Sequence, residues 1–548
     1  GALTEVFSQM HLDPVSPDIS QAVAHLRNER IVLQDYVPLY ESLEWELAGK
    51  AWEDLGVQPF ADGSVPFYIT SSGRLSHSAA SLLFLNCHKL PQQQPIKVLE
   101  LAAGSGLFAR LFLDDFQTLC QQAGVDYYQR LIYLVTDFSL KSVADWSRLG
   151  LFKPHLAQVK TRTLDIMAKD AFAHRDMQGL QAVYCNYCLD VLPFSVIQHG
   201  RDGLQELFVR TSVSADEKLL RRFSTLAADD IRMFSHQANH ERRRELYSLS
   251  PVMEREMIYQ RMADESLVPD SVKQWLQENQ IEARMAVNHG AIDCLQRCAE
   301  ILHEDGHILI NDYGPVSNEE IAEKISSKRY GLTLAMDINF PLLEFAMSSA
   351  GFTCVKSDDD ADRTLHSRLI LKSEQQEQID AFGQCFGSAV NRSFDEPLKA
   401  ARELARNGRP ADALFCYQQT LERLSNDWFI ITEVAEFLFQ KMDNAEHALP
   451  LAQCAVAMNP WFSTWVWDVL GDCLFGLRRY EDAHQAYQQA LSINPKDSAS
   501  NLRIACTYEM FGQFEAALQA IATGLANDRD RSQRDSLLDR QRQILAKM

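Results

Sequence analysis

The chain has 548 residues, 46% of them hydrophobic, enough for two to four domains with sizeable cores and too apolar for wholesale disorder. Its 53 Lys and Arg stand against 74 Asp and Glu, a net charge of −21. That balance argues against a nucleic-acid binder, whose affinity comes from neutralising phosphates. No apolar run reaches the length of a membrane span. The first residues carry Glu5, Asp13 and Asp18 and no basic-then-apolar leader, while Gly1 in place of Met marks a processed or trimmed chain. With 12 cysteines in no regular framework, the expectation is a cytoplasmic protein with buried free thiols.

Residues 1 to about 60 read as helical, with apolar residues at helical spacing over Ile19–Leu26 and Leu39–Leu55. Pro66-Phe67-Tyr68-Ile69-Thr70-Ser71-Ser72-Gly73 breaks that pattern as a loop, and a helix from about Ser76 to Lys89 follows. Ile96-Lys97-Val98-Leu99-Glu100-Leu101-Ala102-Ala103-Gly104-Ser105-Gly106 is then an apolar strand, a carboxylate and a glycine turn, leading into the apolar helical pattern from Leu107. This is the first βα unit of a doubly wound sheet, whose ligands bind beyond the strands' carboxyl ends.

Gly104 to Ala109 also fits the dinucleotide fingerprint G-x-G-x-x-A. Glu100 favours another ligand. A carboxylate repels a pyrophosphate but attracts the amino group and hydroxyls of S-adenosylmethionine. The second strand, Leu131–Val135, leads to Asp137, fit for ribose hydroxyls. It lies 31 residues after Gly106, against about 20 in dinucleotide folds. The third strand, Val159–Leu164, is closed by Asp165, a position that would face the adenine or its ribose. The expected cofactor site is Glu100, Ala102, Gly104, Ser105, Gly106, Asp137, Asp165 and Asn186, with S-adenosylmethionine as cofactor.

The fourth strand, Ala182–Cys185, runs into Asn186-Tyr187-Cys188-Leu189-Asp190. Cys185 and Cys188 could join Cys294 and Cys298 in a zinc site, but packing is the simpler reading and no metal is assigned. Residues 214 to 302 read as a helical insertion with no strand signal. Within it, Arg242, Arg243 and Arg244 read as a solvated face, with a basic patch as the alternative. The sheet resumes at Gly306-His307-Ile308-Leu309-Ile310-Asn311-Asp312 and ends with Leu365–Leu371. Glu374 to Glu377 opens a polar linker.

The remainder is a repeat array. Ala413, Ala448, Ala483 and Ala517 recur at intervals of 35, 35 and 34 residues, and Trp467, Leu470, Gly471, Tyr487, Ala490 and Pro495 fill other tetratricopeptide positions. The expected organisation is an N-terminal helical segment with an active-site loop (1–75) and an α/β, Rossmann-like methyltransferase domain (76–375). An all-α tetratricopeptide domain (394–531) and a helical tail (532–548) follow. Such arrays bind proteins or peptides, and this one is expected to recruit a substrate as a separable module, a structural brace being the competing possibility.

Over its first 375 residues the chain resembles the MidA-like methyltransferases. Phe67-Tyr68-Ile69-Thr70-Ser71 is similar to that family's F-x-T-S loop, and Glu100–Gly106 to its cofactor loop. Asn186–Pro193 is similar to its N-E-x-x-D-A-L-P, and Asp312-Tyr313-Gly314 to its D-Y-G. Tyr187 replaces the family's glutamate, and Asp337 stands where its T-A-H-V-D-F segment has histidine. The family includes a mitochondrial assembly factor that methylates an arginine of a respiratory complex I subunit. The resemblance implies a class I methyltransferase fold and S-adenosylmethionine.

Arginine stays protonated at neutral pH, so an arginine acceptor needs carboxylates beside it. Asp190 is the first candidate, with Asn186 and Tyr187 orienting the acceptor. The plain alternatives are a helix N-cap for Asp190, a loop brace for Asp312, and turn chemistry for Thr70 and Ser71. The leading functional reading is methylation of an arginine or lysine on a protein held by the repeats. The alternatives are a small-molecule methyltransferase and a cofactor-binding scaffold without turnover.

Overall fold

The computed structural model describes residues 29–279, 284–323, 325 and 327–548. The helix expected over Ile19–Leu26 lies outside these residues.

Seven strands form the central sheet: β1 (Ile96–Leu101), β2 (Leu131–Asp137), β3 (Val159–Thr163), β4 (Leu180–Asn186), β5 (Leu302–Asp312), β6 (Thr353–Lys356) and β7 (His366–Leu371). Their order is β3-β2-β1-β4-β5-β7-β6. Strands β1 to β5 pair in parallel, whereas β7 runs antiparallel to both β5 and β6. Dinucleotide folds have the order 3-2-1-4-5-6, so the antiparallel β7 between β5 and β6 sets this sheet apart. The order reverses between β1 and β4, where the loops after them diverge and open a crevice.

Parallel strands covered on both faces are apolar without alternation, which is why β1, β4 and β5 stand out in the sequence. Ile96 and Val98 of β1 join one hydrophobic cluster with the helices Arg74–Asn86 and Leu107–Ala123. Leu99 and Leu101 join another with the helices His289–Glu300 and Phe340–Ser349. Cys185, Cys188, Cys294 and Cys298 are all buried in that second cluster.

A second, antiparallel sheet corrects two expectations. It joins Arg30–Pro38, Gly203–Ser214, Ser195–Gly200 and Met285–Val287, with Glu254–Arg261 also paired to Gly203–Ser214. The first 60 residues are therefore not helical throughout, although Leu43–Leu55 is a helix. Nor is the insertion helical: Glu254–Arg261 and Met285–Val287 interrupt it. Glu254–Arg261 gave no apolar alternation because its buried members are Glu254 and Arg255, which pair with Arg30 and Glu44. The arginine run is a solvated face only in part: Arg242 is exposed, but its two neighbours are engaged. Arg243 is 6% exposed and donates to Glu46 at 2.8 Å, while Arg244 pairs with Asp54.

The repeats are four helical hairpins: Ser388–Arg406 with Pro410–Arg423, Trp428–Met442 with Ala445–Met458, Thr464–Gly476 with Tyr480–Ile493, and Ser498–Met510 with Phe514–Asn527. Arg534–Lys547 packs on the last hairpin. The recurrent Ala413, Ala448, Ala483 and Ala517 are each fully buried. At Gly471 a Cβ would overlap the Tyr487 ring, so only glycine lets these helices cross so closely.

The polar linker expected at 374–377 is instead the start of a helix, Gln376–Phe386, that buries Gln378, Ala381 and Phe382. The array is not a separable module. Trp428, Ile431, Phe462 and Val466 belong to the same hydrophobic cluster as β1 and the cofactor-loop helix. Around that seam Trp428 Nε1 donates to the Ser71 carbonyl at 2.7 Å, Ser72 Oγ donates to Asp427 at 2.8 Å, and Arg74 pairs with Asp395 at 2.6 Å. At Gly73 (φ 111°) a Cβ would strike the Asn426 carbonyl oxygen.

Candidate functional site

The loop after β1 is held by its own backbone. Ala103 N–H donates to the Thr136 carbonyl at 2.9 Å, Trp146 Nε1 donates to the Gly104 carbonyl at 3.0 Å, and Ser105 Oγ accepts from Leu107 N–H at 3.2 Å. Gly104 and Gly106 have φ of 59° and 80°, and Ala102 has φ 50°, unusual for a residue with a side chain. A Cβ on Gly104 would lie 2.8 Å from the Phe60 ring. One on Gly106 would meet Leu151 at 2.7 Å and Trp146 at 3.0 Å. A side chain at 106 therefore collides with the protein itself.

Glu100 is 2% exposed and accepts the Tyr133 hydroxyl at 2.7 Å. Burial pushes its carboxyl up to about 8, against the lowering effect of the Tyr133 hydrogen bond. Asp137 also holds the loop, accepting from Gly104 N–H and Ser139 N–H, each at 2.9 Å. Burial raises its carboxyl to about 6, although the amides of Ser139, Gly104 and Phe138 oppose this. Asp165 is exposed after β3 and accepts from Met167 N–H at 3.0 Å. Next to Asp137, Phe138 is 44% exposed, an open ring at the crevice rim that sequence reasoning passed over.

At the ends of β4 and β5 the other predicted residues converge. Asn186 Oδ1 accepts from Asn311 at 2.8 Å, while its Nδ2 is buried without a partner. Tyr187 has φ 52°, stacks on Tyr313 at 5.3 Å and 15°, and donates its hydroxyl to that of Tyr313 at 2.8 Å. Two side-chain-bearing residues with positive φ, Ala102 and Tyr187, thus flank the crevice, a placement typical of functional sites.

Asp190 is not the N-cap of a long helix; it lies in the short turn Leu189–Val191. Its Oδ1 and Asp312 Oδ2 are buried without partners. Burial raises both carboxyls; Asp312 raises Asp190 further, whereas the Asp190 backbone N–H lowers Asp312. Asp337 adds to the repulsion, and Lys328, 3.7 Å from Asp337 and 5.6 Å from the Tyr313 ring centre, relieves part of it. Asp337 and Lys328 were not among the predicted site residues. The only sequence signal was that Asp337 sits where the resembled family has histidine.

The Phe67–Gly73 stretch forms a short helical turn, Tyr68–Ser71, rather than an open loop. Thr70 and Ser71 are buried, and Thr70 Oγ1 lies 3.5 Å from the Phe67 carbonyl. Among the described residues no three His, Cys, Asp or Glu converge to hold a metal, and no helix is long and apolar enough to cross a membrane.

Residues 80–339 match the family described as "Putative S-adenosyl-L-methionine-dependent methyltransferase", and residues 474–540 match the tetratricopeptide repeat. No curated protein sequence matches the chain. Among solved structures, a likely methyl transferase from Burkholderia thailandensis bound to S-adenosyl-homocysteine is 16% identical, with 64% of this chain and 91% of that one covered and a TM-score of 0.41. An uncharacterised protein from the same organism is 14% identical, with 63% and 90% covered and a TM-score of 0.40. A thermophilic repeat protein in Thermus thermophilus is 22% identical, with 28% and 88% covered and a TM-score of 0.24.

Proposed function

On the premise that residues 80–339 belong to this S-adenosyl-L-methionine-dependent methyltransferase family and are followed by tetratricopeptide repeats, we propose that the protein methylates a basic side chain, arginine or lysine, of a polypeptide. One observation carries the reading. Asp190 and Asp312 each keep a buried oxygen without a partner and interact electrostatically at the ends of β4 and β5, where Asn186 keeps an unpartnered Nδ2.

The residues fit the cofactor. A buried donor without a partner, Asn186 Nδ2, suits its carboxylate. Gly104 to Gly106 would border the methionine part. Asp137 and Asp165 would take ribose hydroxyls, and Phe138 an adenine face. Glu100 acts one step back, through the loop it underlies. When bound, S-adenosylmethionine supplies a methyl carbon activated by its sulfonium.

A cationic acceptor entering the cluster favours the ionised forms of Asp190 and Asp312, which burial alone disfavours. Tyr187 and Tyr313 offer it a π-face, an attraction strengthened by desolvation. The acceptor nitrogen would take the methyl carbon as its bond to sulfur breaks and S-adenosylhomocysteine leaves, and the nitrogen's proton would pass to ionised Asp190, whose Oδ1 has no other partner. Positioning and water exclusion do most of the work in such a displacement.

The test is Asp190→Asn. Methyl transfer from radiolabelled cofactor should fall by about a hundredfold or more, while calorimetric cofactor affinity stays within about twofold. Equal transfer by the variant would remove Asp190 from the chemistry.

A further inference from the structure

The Tyr68–Ser71 turn packs on the repeats and lies near Tyr313 of the candidate acceptor site. Tyr68 stacks on Phe429 with ring centres 4.5 Å apart at 15°, and Phe429 packs on Trp465 at 5.0 Å. Phe429 and Trp465 come from the first helices of consecutive hairpins. At the other end, Tyr68 lies close enough to Tyr313 to influence its phenol, which burial already raises. Tyr68, Phe429 and Trp465 thus follow one another from near Tyr313 out onto the array.

These rings are not the glue of the seam. Trp428 and Phe462, which are, have 2% exposure each. Tyr68 is 39% exposed, its neighbour Ile69 is 38% exposed, and Phe429 and Trp465 are half-buried. From Tyr68 to Trp465 the row covers roughly 10 Å, about three residues of extended chain. A small acceptor seated at Asp190 would not reach Trp465; an extended polypeptide would. Carboxylates stand at both ends, with Asp190, Asp312 and Asp337 at one and Glu436, which accepts Trp465 Nε1 at 2.9 Å, at the other. The charge complement is a basic segment.

We propose that Tyr68, Phe429 and Trp465 form a substrate track built jointly by the catalytic part and the repeats. It holds an extended, basic polypeptide segment whose acceptor side chain reaches Asp190 and Asp312 while a nearby aromatic or apolar side chain lies on the rings. The track rests on the polypeptide-methyltransferase reading above. It assigns the array a direct part in the acceptor site, with Phe429 and Trp465 as specificity-determining residues.

The experiment uses the full-length chain and synthetic peptides with a central arginine or lysine and an aromatic residue placed at each flanking position in turn. Label transfer, cofactor calorimetry and thermal melting are measured for the wild type, Phe429→Ala, Trp465→Ala and Phe429→Tyr. The wild type should prefer peptides with an aromatic residue two to four positions from the centre. Either alanine variant should raise KM for those peptides about tenfold, as losing one well-packed aromatic contact does. Cofactor affinity and kcat should stay within about twofold, and Phe429→Tyr should restore the preference. If Phe429→Ala melts early, Trp465→Ala carries the test. A flank preference unchanged in both alanine variants overturns the track alone, as does label without any flank preference. A wild type that binds cofactor but labels no peptide overturns the polypeptide reading and the track with it.

Discussion

Replacing Trp428 by alanine tests whether the repeats and the methyltransferase part share one core. The side chain is 2% exposed, stacks on Phe67 at 5.9 Å and 26°, and donates to the Ser71 carbonyl at 2.7 Å. Truncating a buried tryptophan costs about 3–5 kcal/mol. Leaving the buried Ser71 carbonyl unpaired adds about 1–3 kcal/mol. Partial relaxation of the seam brings the expected loss to about 4–6 kcal/mol, a large share of the 5–15 kcal/mol that holds a typical protein folded. Urea unfolding followed by far-UV circular dichroism should show one transition in the wild type, moved to much lower urea in Trp428→Ala. Cofactor affinity should drop as well, because Phe67 also packs on Phe60, which lies against Gly104. A loss below about 1 kcal/mol would refute the shared core. So would a wild type with two separate transitions of which the substitution moves only one.

Gly106→Val should lower the melting temperature sharply and abolish cofactor binding together with it, because the new side chain strikes Leu151 and Trp146 at a φ of 80°; a normally folded variant that merely lost affinity would show instead that the side chain blocks the cofactor. Asp137→Ala should weaken cofactor binding about tenfold to a hundredfold, and wild-type affinity should fall as pH drops through about 6, where this acceptor becomes protonated; calorimetry across pH finding neither effect would place the ribose elsewhere. Glu100 is raised from 4.5 to about 8 by burial, so the folded state keeps its proton longer than the unfolded state. Its contribution to stability is full below about 4.5 and lost as pH rises through about 8. Glu100→Gln should flatten the fall in unfolding free energy between those pH values, and equal slopes in both proteins would refute the assignment.

The central sheet could be read because β1, β2, β4 and β5 are apolar runs ended by polar residues, and the repeats because Ala413, Ala448, Ala483 and Ala517 mark close helix crossings. What escaped reading depends on contacts distant in sequence. Arg255 and Glu44 bury each other's charge, so their elements carry no apolar signature. Nothing local to Phe60 says that it covers Gly104, or to Lys328 that it faces Asp337. The positive φ of Ala102 and Tyr187 is imposed by the surrounding fold, since neither side chain favours it. Asn186, Tyr187 and Asp190 could be placed on the crevice from the end of β4, but the unpartnered atoms of Asn186 and Asp190 appear only once the chain is folded and Asn311 has taken Asn186 Oδ1.

The bonds from Ser72 to Asp427 and from Trp428 to Ser71 join residues 355 and 357 positions apart. Chains are synthesised at about 5–20 residues per second. A growing chain therefore spends on the order of 20–70 s between the emergence of Ser72 and that of Asp427. Throughout that interval Phe67 lacks its partners Trp428 and Phe462, and Tyr68 lacks Phe429. The candidate site is among the earliest parts of this protein to be made and among the last to be finished.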